Sequence, residues 1–276
     1  MTSKSDWQTR VGVSWASEWE RTDRSFGVLT DQLMAKLSER PIMRALDIGC
    51  GAGEMSLALG RGHPGAEIVG VDVSEELIEV ARHRGSRLGN VSFELADAGE
   101  WQRDNFAPDL LFSRHGVMFF PDPVASFSHL ASIAAPNGRL VFSCFRALED
   151  NLWAERIESF LPPGTTYPPD RFSPGPFAFA DQSHVDGVLR DAGWIDINFI
   201  PVDYAYIAGT GPDAVEDAAE FFQRIGPAAR ASRNLDTHDH AHFLARMRRF
   251  LANNVVDGII ALRAGAWIVS ARLARG

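Results

Sequence analysis

Short apolar segments alternate with amphipathic helical patterns between residues 42 and 145, and this alternation limits the fold more than any other feature. The apolar segments are 42–48, 67–71, 91–96, 109–113 and 140–145. They are continuously apolar, which is typical of strands that are buried on both faces of a sheet. Strands that alternate with helices predict a doubly wound, Rossmann-like α/β fold with a mostly parallel sheet and helices on both faces.

The regions outside this core extend the predicted fold. Segments 195–207 and 264–273 read as two more strands, which makes seven, and a helical insertion at about 213–255 separates them. Residues 1–40 are predicted to form a helical lid, and 41–276 the main domain.

Composition excludes several classes of function. The 276 residues carry a formal net charge of −9 without a basic face, so duplex nucleic acid is an unfavourable partner. The two cysteines, Cys50 and Cys144, are too few for a secreted disulfide framework. No apolar run reaches the roughly 18 residues of a membrane span, and the polar N-terminus is unlike a signal peptide. We therefore expect a cytoplasmic protein that binds neither nucleic acid nor membrane.

A histidine-rich segment invites a metal interpretation. His238 and His242 have i,i+4 spacing on a predicted helix and could share a metal ion. No cysteine and no H-E-x-x-H pattern accompanies them, and Asp236 and Thr237 read as the start of that helix. We predict no metal site.

The strongest local signal is LDIGCGAG, which ends the first predicted strand and opens a helix. Gly49 and Gly51 remove side chains where the backbone turns tightly towards a ligand, and the helix N-terminus offers free N–H groups. Asp47 is placed to accept from a ligand ammonium or hydroxyl. The dinucleotide fingerprint Gly-x-Gly-x-x-Gly does not fit, because its third glycine is replaced by Glu54 or by Ser56, depending on where the count begins.

Acidic residues end the next two predicted strands. Asp72 follows IVGV and can accept from both hydroxyls of a ribose, which by itself does not distinguish one nucleoside cofactor from another. Asp97 follows ELA and can accept from the exocyclic amine of an adenine, while the next backbone N–H donates to the ring. A helix-capping role for Asp72 is unnecessary, because Ser74 already fits the N-cap of the following helix.

The motifs ALDIGCGAG, IVGVDVS, ELADAGEW, PDLLFSRHGVMFFPDP and APNGRLVFSCF, in this order, resemble those of class I S-adenosylmethionine-dependent methyltransferases. The resemblance covers about residues 40–146 and is nearest to the small-molecule branch that includes trans-aconitate and ubiquinone-biosynthesis methyltransferases. It implies S-adenosylmethionine as cofactor and a small-molecule methyl acceptor. The cofactor-binding residues that it implies are Asp47, Gly49, Cys50, Gly51, Gly53, Asp72, Val73, Asp97, Ala98 and Ser113.

The same resemblance implies a role for each part of this set. The glycine loop would lie beside the methionine part of the cofactor, and Asp72 would hold the ribose. Val73 would lie under the adenine, which Asp97 and the Ala98 N–H would recognise. The carbonyl of Ser113 would face the cofactor amino group.

The acceptor side is less determined. SRHG follows the fourth strand, where substrate meets cofactor in an open α/β sheet. Arg114 could hold an anionic substrate or the cofactor carboxylate, and His115 could take a proton from an oxygen or nitrogen nucleophile; both could instead only bond the loop. Trp15 and Trp19 share a helix face, either as core or as lining of the site. Phe119 is predicted to line the acceptor site.

Prolines interrupt segment 162–176 repeatedly, so it is neither a regular helix nor a central strand. Such a segment is a surface excursion or a binding loop. Nearby aromatic residues fit either an apolar acceptor or a core: Phe119, Phe120, Phe172, Phe177 and Phe179. Acceptor polarity, the methylated atom and the oligomeric state are left open.

Two other functions remain at this point. A non-catalytic S-adenosylmethionine-binding protein would share every cofactor motif. An NAD-dependent oxidoreductase would share the fold and Asp72, although the glycine spacing argues against it.

Overall fold

The computed structural model describes residues 4–165 and 171–274. Part of the Pro-rich segment, residues 166–170, lies outside the described residues. The strands of the described part form one sheet: β1 (Arg44–Ile48), β2 (Glu67–Asp72), β3 (Val91–Leu95), β4 (Leu110–Arg114), β5 (Arg139–Phe145), β6 (Trp194–Thr210), β7 (Val255–Val256) and β8 (Ile259–Leu273).

The strand order is β3-β2-β1-β4-β5-β8-β6, and the two-residue β7 pairs with β8. The four pairings among β1 to β5 are parallel, while β8 runs antiparallel to β5, β6 and β7. The predicted mostly parallel α/β sheet is therefore confirmed. Its seven main strands are the predicted ones, and β7 is an addition.

Both faces of the sheet centre are covered. Four successive residues of β1, five of β2 and four of β4 are buried. Because successive side chains of a strand point to opposite faces, burial at every position means that protein covers both sides. This explains why these strands are continuous apolar runs in the sequence.

The α-helices of the described part connect and cover the strands: α1 (Lys4–Trp7), α2 (Arg10–Ser17), α3 (Trp19–Leu37), α4 (Glu54–Gly62), α5 (Glu75–Gly85), α6 (Pro123–Ile133), α7 (Leu152–Glu158), α8 (Gln182–Asp191), α9 (Ala214–Arg224), α10 (Pro227–Ser232) and α11 (Thr237–Ala252). Side-chain caps begin several of them. Ser74 accepts from Leu77 N–H at α5, and Asp122 accepts from Ala125 N–H at α6.

The long helix α3 belongs to the main core. Leu29, Leu33 and Leu37 recur along it and are fully buried, as expected for the apolar stripe of an amphipathic helix. Arg24, also on α3, donates to the Ala208 carbonyl of β6 at 2.9 Å. Helix α3 is thus fixed to the antiparallel end of the sheet. Movement of residues 1–40 as a lid stays a prediction.

Two parts of the C-terminal half differ from the prediction. Strand β8 begins at Ile259 rather than at residue 264. Its first residues are buried on one face only: Ile260 and Leu262 are buried, whereas Ile259 and Arg263 are exposed. A strand that is buried on one face only does not form a continuous apolar run in the sequence, so the prediction began too late. Helix α7 was not predicted. Helices α9 to α11 form the insertion between β6 and β8 that was predicted at about 213–255.

The chain changes direction between β1 and β4. From β1 it proceeds through β2 to β3 on one side, and then crosses to β4 and β5 on the other. Because the connections that follow β1 and β4 lead to opposite sides of the sheet, a crevice is left at the carboxyl ends of these two strands. Open α/β sheets bind ligands at this place.

Asn151 joins α7 to the sheet and offers a test of this part of the fold. Its amide donates to the Gly265 carbonyl at 3.1 Å and accepts from the Gly265 N–H at 3.1 Å, with no side-chain exposure. Because Asn151→Ala leaves buried backbone groups unpaired, we expect the free energy of unfolding to fall by roughly 3 kcal/mol. Urea titration of the two proteins measures this. The matched Asn253→Ala changes an exposed residue at the end of α11 and should shift the midpoint little; equal losses from both variants would contradict the assignment.

Candidate active site

A large cavity opens at the crevice, with an empty volume of about 1470 Å³ when the open space at its mouth is counted. Most residues that were predicted for the site line it: Trp15, Trp19, Asp47, Gly49, Cys50, Gly51, Asp72, Val73, Asp97, Ala98, Arg114, His115 and Phe119. The fold therefore brings together side chains from α2, α3 and the ends of four strands. Their binding roles stay predictions.

Gly53 and Ser113 are not among the lining residues. Their predicted contact with a cofactor stays a prediction, and the structure gives each of them a role in the loops. Gly53 has φ +86°, and a Cβ there would lie 2.7 Å from the Phe93 ring. The Ser113 hydroxyl donates to the Ile48 carbonyl at 2.6 Å and accepts from the Gly116 N–H at 3.1 Å. Ser113 thereby ties the loop after β4 to the end of β1.

The loops after β1 and β4 touch through glycines. Gly49 has φ +64°, and a Cβ there would lie 3.0 Å from Gly116 Cα. A Cβ on Gly116 would lie 2.6 Å from the Ile48 carbonyl oxygen, closer than atoms approach. Gly51 also has positive φ, but no atom lies within 4 Å of the place that a Cβ would take. Gly49 and Gly116 allow the two loops to touch, and Gly51 faces open space on the side where a Cβ would lie.

Asp72 fixes the glycine loop from the end of β2. One carboxylate oxygen accepts from the Gly51 N–H and the other from the Ser74 N–H, both at 2.9 Å. Burial raises the pKa of Asp72, and the hydrogen bonds from backbone N–H groups oppose that rise. A carboxylate has about four acceptor positions, so Asp72 retains capacity for two ligand hydroxyls.

Asp47 lies deepest of the three acids, with 1% of its surface exposed. The Ser56 hydroxyl donates to it at 2.6 Å. Burial raises the pKa of Asp47 to about 7, although Ser56 and Arg114 favour the ionised form. Asp47 therefore holds its proton well above the pH at which an exposed carboxyl loses it.

Asp97 has a cationic partner from the N-terminal segment. Lys4 Nζ lies 2.6 Å from one carboxylate oxygen, and the Gly99 N–H donates to the other at 2.8 Å. The Lys4 ammonium thus already binds the carboxylate that the resemblance assigns to the adenine amine. A ligand that uses Asp97 has to share it with Lys4 or displace that side chain.

Arg114 is committed to protein partners. It forms an ion pair with Glu54, a second with Asp23 at 3.4 Å, and donates to the Thr30 hydroxyl at 2.8 Å. In the sequence, Glu54 was singled out only because it does not fit the dinucleotide pattern. Asp23 also bonds Arg84 at 2.7 Å, whose guanidinium lies 3.8 Å from the centroid of Trp19. The charges around Arg114 are therefore balanced within the protein.

His115 is a neutral, buried imidazole on the cavity wall. Its φ is +64°, and its ring stacks on Phe145 with centroids 4.0 Å apart. Burial and the neighbouring Arg114 hold its pKa well below the usual range. Neither ring nitrogen has a hydrogen-bond partner of good geometry, although the Ser143 backbone near the ring favours the protonated form. Such a group accepts a hydrogen bond at neutral pH but is a weak base.

Sequence reasoning missed four aromatic residues beside His115. The ring of Phe26 lies 5.1 Å from His115 and 5.6 Å from Tyr206, and Trp153 lies 5.0 Å from Tyr206 and 5.2 Å from Phe145. With the His115–Phe145 stack, these contacts form a closed circuit of five rings, all of which line the cavity. We call this set the aromatic wall. Its members come from α3, β5, α7, β6 and the loop after β4, so no local motif reveals it.

The other candidate aromatic residues divide between lining and packing. Phe119 and Phe120 line the cavity. Phe177 packs against Phe145 with centroids 5.8 Å apart, Phe179 is buried in the core, and Phe172 is exposed. Only the first pair is placed to touch a ligand in this cavity.

The histidine-rich segment lies outside the cavity. Ligand atoms of Asp236, His238 and Asp239 fall within 4.8 Å of one another, and the first two residues are exposed. Asp236 accepts from the Asp239 N–H at 2.8 Å as the cap of α11, the role expected of it from the sequence. The absence of a metal stays a prediction. Among the described helices, none has the length and apolar character to cross a membrane.

Comparison with known sequences finds similar proteins for the central region of the chain. Residues 39–162 match the family described as a methyltransferase domain. The trans-aconitate 2-methyltransferase of Methylobacterium radiotolerans is 32% identical over 121 residues, which are 44% of this chain and 44% of that protein. The enzyme of that name from Escherichia coli strain 55989 is 32% identical over 136 residues, 49% of this chain and 50% of that protein. Each match thus spans half or less of the relative's own length.

Solved structures share the fold across most of this chain. A phosphoethanolamine N-methyltransferase 2 of Haemonchus contortus, solved with S-adenosyl-L-methionine, has a TM-score of 0.58 at 16% identity and covers 99% of this chain and 60% of its own. A putative methyltransferase of Bacillus halodurans has a TM-score of 0.55 at 18% identity and covers 88% and 97%. The chain has the fold of a class I methyltransferase. The match to the methyltransferase-domain family covers residues 39–162, which is less than half of the chain.

The raised pKa of Asp47 predicts a pH dependence of stability. An Asp has a pKa near 3.9 in the unfolded chain and about 7 here, so between these values only the folded state holds the proton. The stabilisation is complete below about pH 4 and is lost as the pH rises through 7. Relative to Asp47→Asn, the free energy of unfolding of the wild type should fall by roughly 1.3 kcal/mol from pH 5 to 6 and by roughly 1 kcal/mol from pH 6 to 7, where the folded state begins to lose the proton.

Urea titrations at pH 5, 6 and 7 measure this difference. Asp191→Asn, an exposed change at the end of α8, is the control and should follow the wild type at every pH. If the wild type and Asp47→Asn keep a constant separation from pH 5 to 7, Asp47 does not hold a proton in the folded state.

Proposed function

We propose that this protein transfers a methyl group from S-adenosylmethionine to a small-molecule acceptor. The observation that carries the proposal is the meeting of Asp47, Asp72 and Asp97 with an open glycine loop in one cavity. S-adenosylmethionine presents an ammonium, two ribose hydroxyls and an adenine amine, and all of these are hydrogen-bond donors. Acidic acceptors at the ends of three adjacent strands fit that pattern.

A pyrophosphate-containing cofactor fits these residues poorly. Glu54 occupies the first turn of α4, the helix N-terminus that would have to bind the phosphates. Its carboxylate is committed to Arg114, so that cation is not available to a phosphate. The positions of these charges favour S-adenosylmethionine over a nicotinamide dinucleotide.

The residues divide into a cofactor half and an acceptor half of the cavity. We assign Asp72 to the ribose, Val73 and Ala98 to the adenine, and Asp47 with the glycine loop to the methionine end. The acceptor half begins at His115 and continues along the aromatic wall. This second half favours an enzyme over a protein that only binds the cofactor, because the same cavity continues past His115 to these rings.

When bound, S-adenosylmethionine supplies a methyl group on a positively charged sulfur that leaves as a neutral thioether. The protein therefore needs no covalent nucleophile of its own. Its task is to hold the acceptor atom in line with the methyl group and to exclude water. Trp7, Trp15 and Trp19 line the cavity from the N-terminal helices, where they are placed to exclude water.

Trans-aconitate is a candidate acceptor because the relatives carry that name. The family match ends at residue 162, however, before Tyr206 of the aromatic wall and before the insertion α9 to α11. The matched region contains the cofactor half together with His115, Phe145 and Trp153, and it leaves Phe26 and Tyr206 of the aromatic wall unmatched. The support from the relatives is therefore stronger for the cofactor than for the acceptor.

The decisive variant for the cofactor is Asp72→Asn. Replacing a carboxylate that accepts from two hydroxyls removes charge-assisted hydrogen bonds of about 1.5–3 kcal/mol, so S-adenosylmethionine should bind roughly 10–100-fold more weakly. Isothermal titration of wild type and variant gives the two dissociation constants. The control Asp191→Asn should bind like the wild type.

NADH titrated into the wild type completes this experiment. We expect no saturable heat from NADH and micromolar binding of S-adenosylmethionine. Tight binding of NADH without binding of S-adenosylmethionine would return the glycine loop to the dinucleotide-binding class.

A further inference from the structure

The acceptor half of the cavity is bounded by aromatic carbon. Phe26, Phe145, Trp153 and Tyr206 are each at most 5% exposed and contact one another edge to face, stacked or tilted. Pairs of this kind are stabilised by ring packing beyond the area that they bury. A flat aromatic molecule can extend the same contacts, whereas an anionic group has no partner on these ring surfaces.

The charges that line the whole cavity are mostly negative. Among the described lining residues the carboxylates are Asp23, Asp47, Glu54, Asp72 and Asp97, and the cations are Lys4 and Arg114. Both cations are paired, Lys4 with Asp97 and Arg114 with Glu54 and Asp23. A tricarboxylate would enter without an uncommitted cation, and burying unpaired charge is strongly unfavourable.

At the aromatic wall the guanidinium of Arg114 lies 5.1 Å from the centroid of Phe26 and is paired with Glu54 and Asp23. Other arginines lie in a neighbouring pocket. Arg10, Arg224, Arg230 and Arg233 line a smaller pocket that shares Trp7, Trp15, Phe119, Pro176 and Gly226 with the main cavity. No member of the aromatic wall lines that pocket. The shared residues form its boundary with the cavity, so an anion held by these arginines would lie away from His115.

Three residues that line the cavity carry buried polar atoms without a hydrogen-bond partner. Trp7 Nε1, Thr22 Oγ1 and both ring nitrogens of His115 are buried without a hydrogen bond, and all three residues line the cavity. Buried polar groups are nearly always paired in proteins. A ligand with an uncharged polar group, such as a hydroxyl, supplies the missing partner without bringing in charge.

On the basis of the proposed function, we infer that the reacting part of the acceptor is an uncharged aromatic ring system whose hydroxyl group donates to His115. The rings lie against Phe145, Trp153 and Tyr206, and the hydroxyl oxygen is the methylated atom. This substrate class differs from the polycarboxylate named for the relatives.

The chemistry of the transfer suits a weak base. A lone pair of the hydroxyl oxygen forms the new O–C bond, while the S–C bond breaks and leaves its electron pair on the sulfur. The hydroxyl proton passes to His115 and then to solvent. Because the oxygen becomes strongly acidic as the bond to carbon forms, a neutral imidazole of low basicity is sufficient to accept the proton.

Binding experiments test the substrate class without relying on turnover. The wild type is saturated with S-adenosylhomocysteine and titrated calorimetrically with 2-naphthol, 2-methoxynaphthalene, 2-naphthoate and trans-aconitate. We expect 2-naphthol to bind at least tenfold more tightly than either anion. Loss of the donated hydrogen bond should weaken 2-methoxynaphthalene about 2–10-fold relative to 2-naphthol.

His115→Phe tests the assigned hydrogen bond, because phenylalanine preserves the ring stack on Phe145. This variant should bind 2-naphthol and 2-methoxynaphthalene equally, while S-adenosylhomocysteine binds as in the wild type and reports an intact fold. The matched control His83→Phe, on the exposed face of α5, should keep the wild-type ratio.

The outcomes separate the two proposals. If S-adenosylhomocysteine binds but 2-naphthoate or trans-aconitate equals or exceeds 2-naphthol, the acceptor class is wrong and the cofactor assignment stands. An unchanged ratio in His115→Phe would overturn the role of His115. Failure of S-adenosylhomocysteine to bind the wild type would remove the proposed function and the acceptor class together.

Discussion

The site depends on the direct contact between the loop after β1 and the loop after β4. Gly49 and Gly116 leave no space for a Cβ between them, and the Ser113 hydroxyl bonds across to the Ile48 carbonyl. Because these strands are neighbours at the point where the chain reverses direction, the contact places the cofactor half and the acceptor half side by side. Asp72 then fixes the glycine loop through the Gly51 N–H.

The second constraint is electrostatic. The cavity contains more carboxylates than cations, and the protein itself neutralises the cations. A cofactor that carries positive charge and hydrogen-bond donors gains from these carboxylates, while anionic molecules do not. The raised pKa of Asp47 and the neutral state of His115 share one physical cause, since burial disfavours the charged form of either group.

The sequence was informative wherever structure and chemistry are local. The parallel strands, the glycine loop and the acids at the strand ends follow from patterns of a few residues, because a strand end and the loop after it are contiguous in the chain. The acceptor half could not be obtained in this way. Phe26, Trp153 and Tyr206 meet only after α3, α7 and β6 have packed, and the phenylalanines counted around residue 177 turn out to be mainly packing residues.

Contacts with residues that are distant in the sequence also change the role that the sequence predicts for individual side chains. Arg114 reads as a free cation in the sequence, yet it is balanced by Asp23 from α3 and by Glu54 from the first turn of α4. Asp97 reads as a free acceptor, yet Lys4 reaches it from the N-terminal helix. Ion pairs of this kind depend on the tertiary fold and leave no periodic trace in the sequence.

The central claim is that one cavity, divided at His115, binds cofactor on the β1–β2–β3 side and acceptor on the other. A crystal structure of the protein with S-adenosylhomocysteine tests it most directly. We predict electron density for the ribose hydroxyls on the Asp72 carboxylate, with the sulfur directed towards His115 and the aromatic wall left accessible. Density for the nucleoside within the aromatic wall, or the absence of ligand density from the crevice in crystals soaked at saturating concentration, would contradict the account.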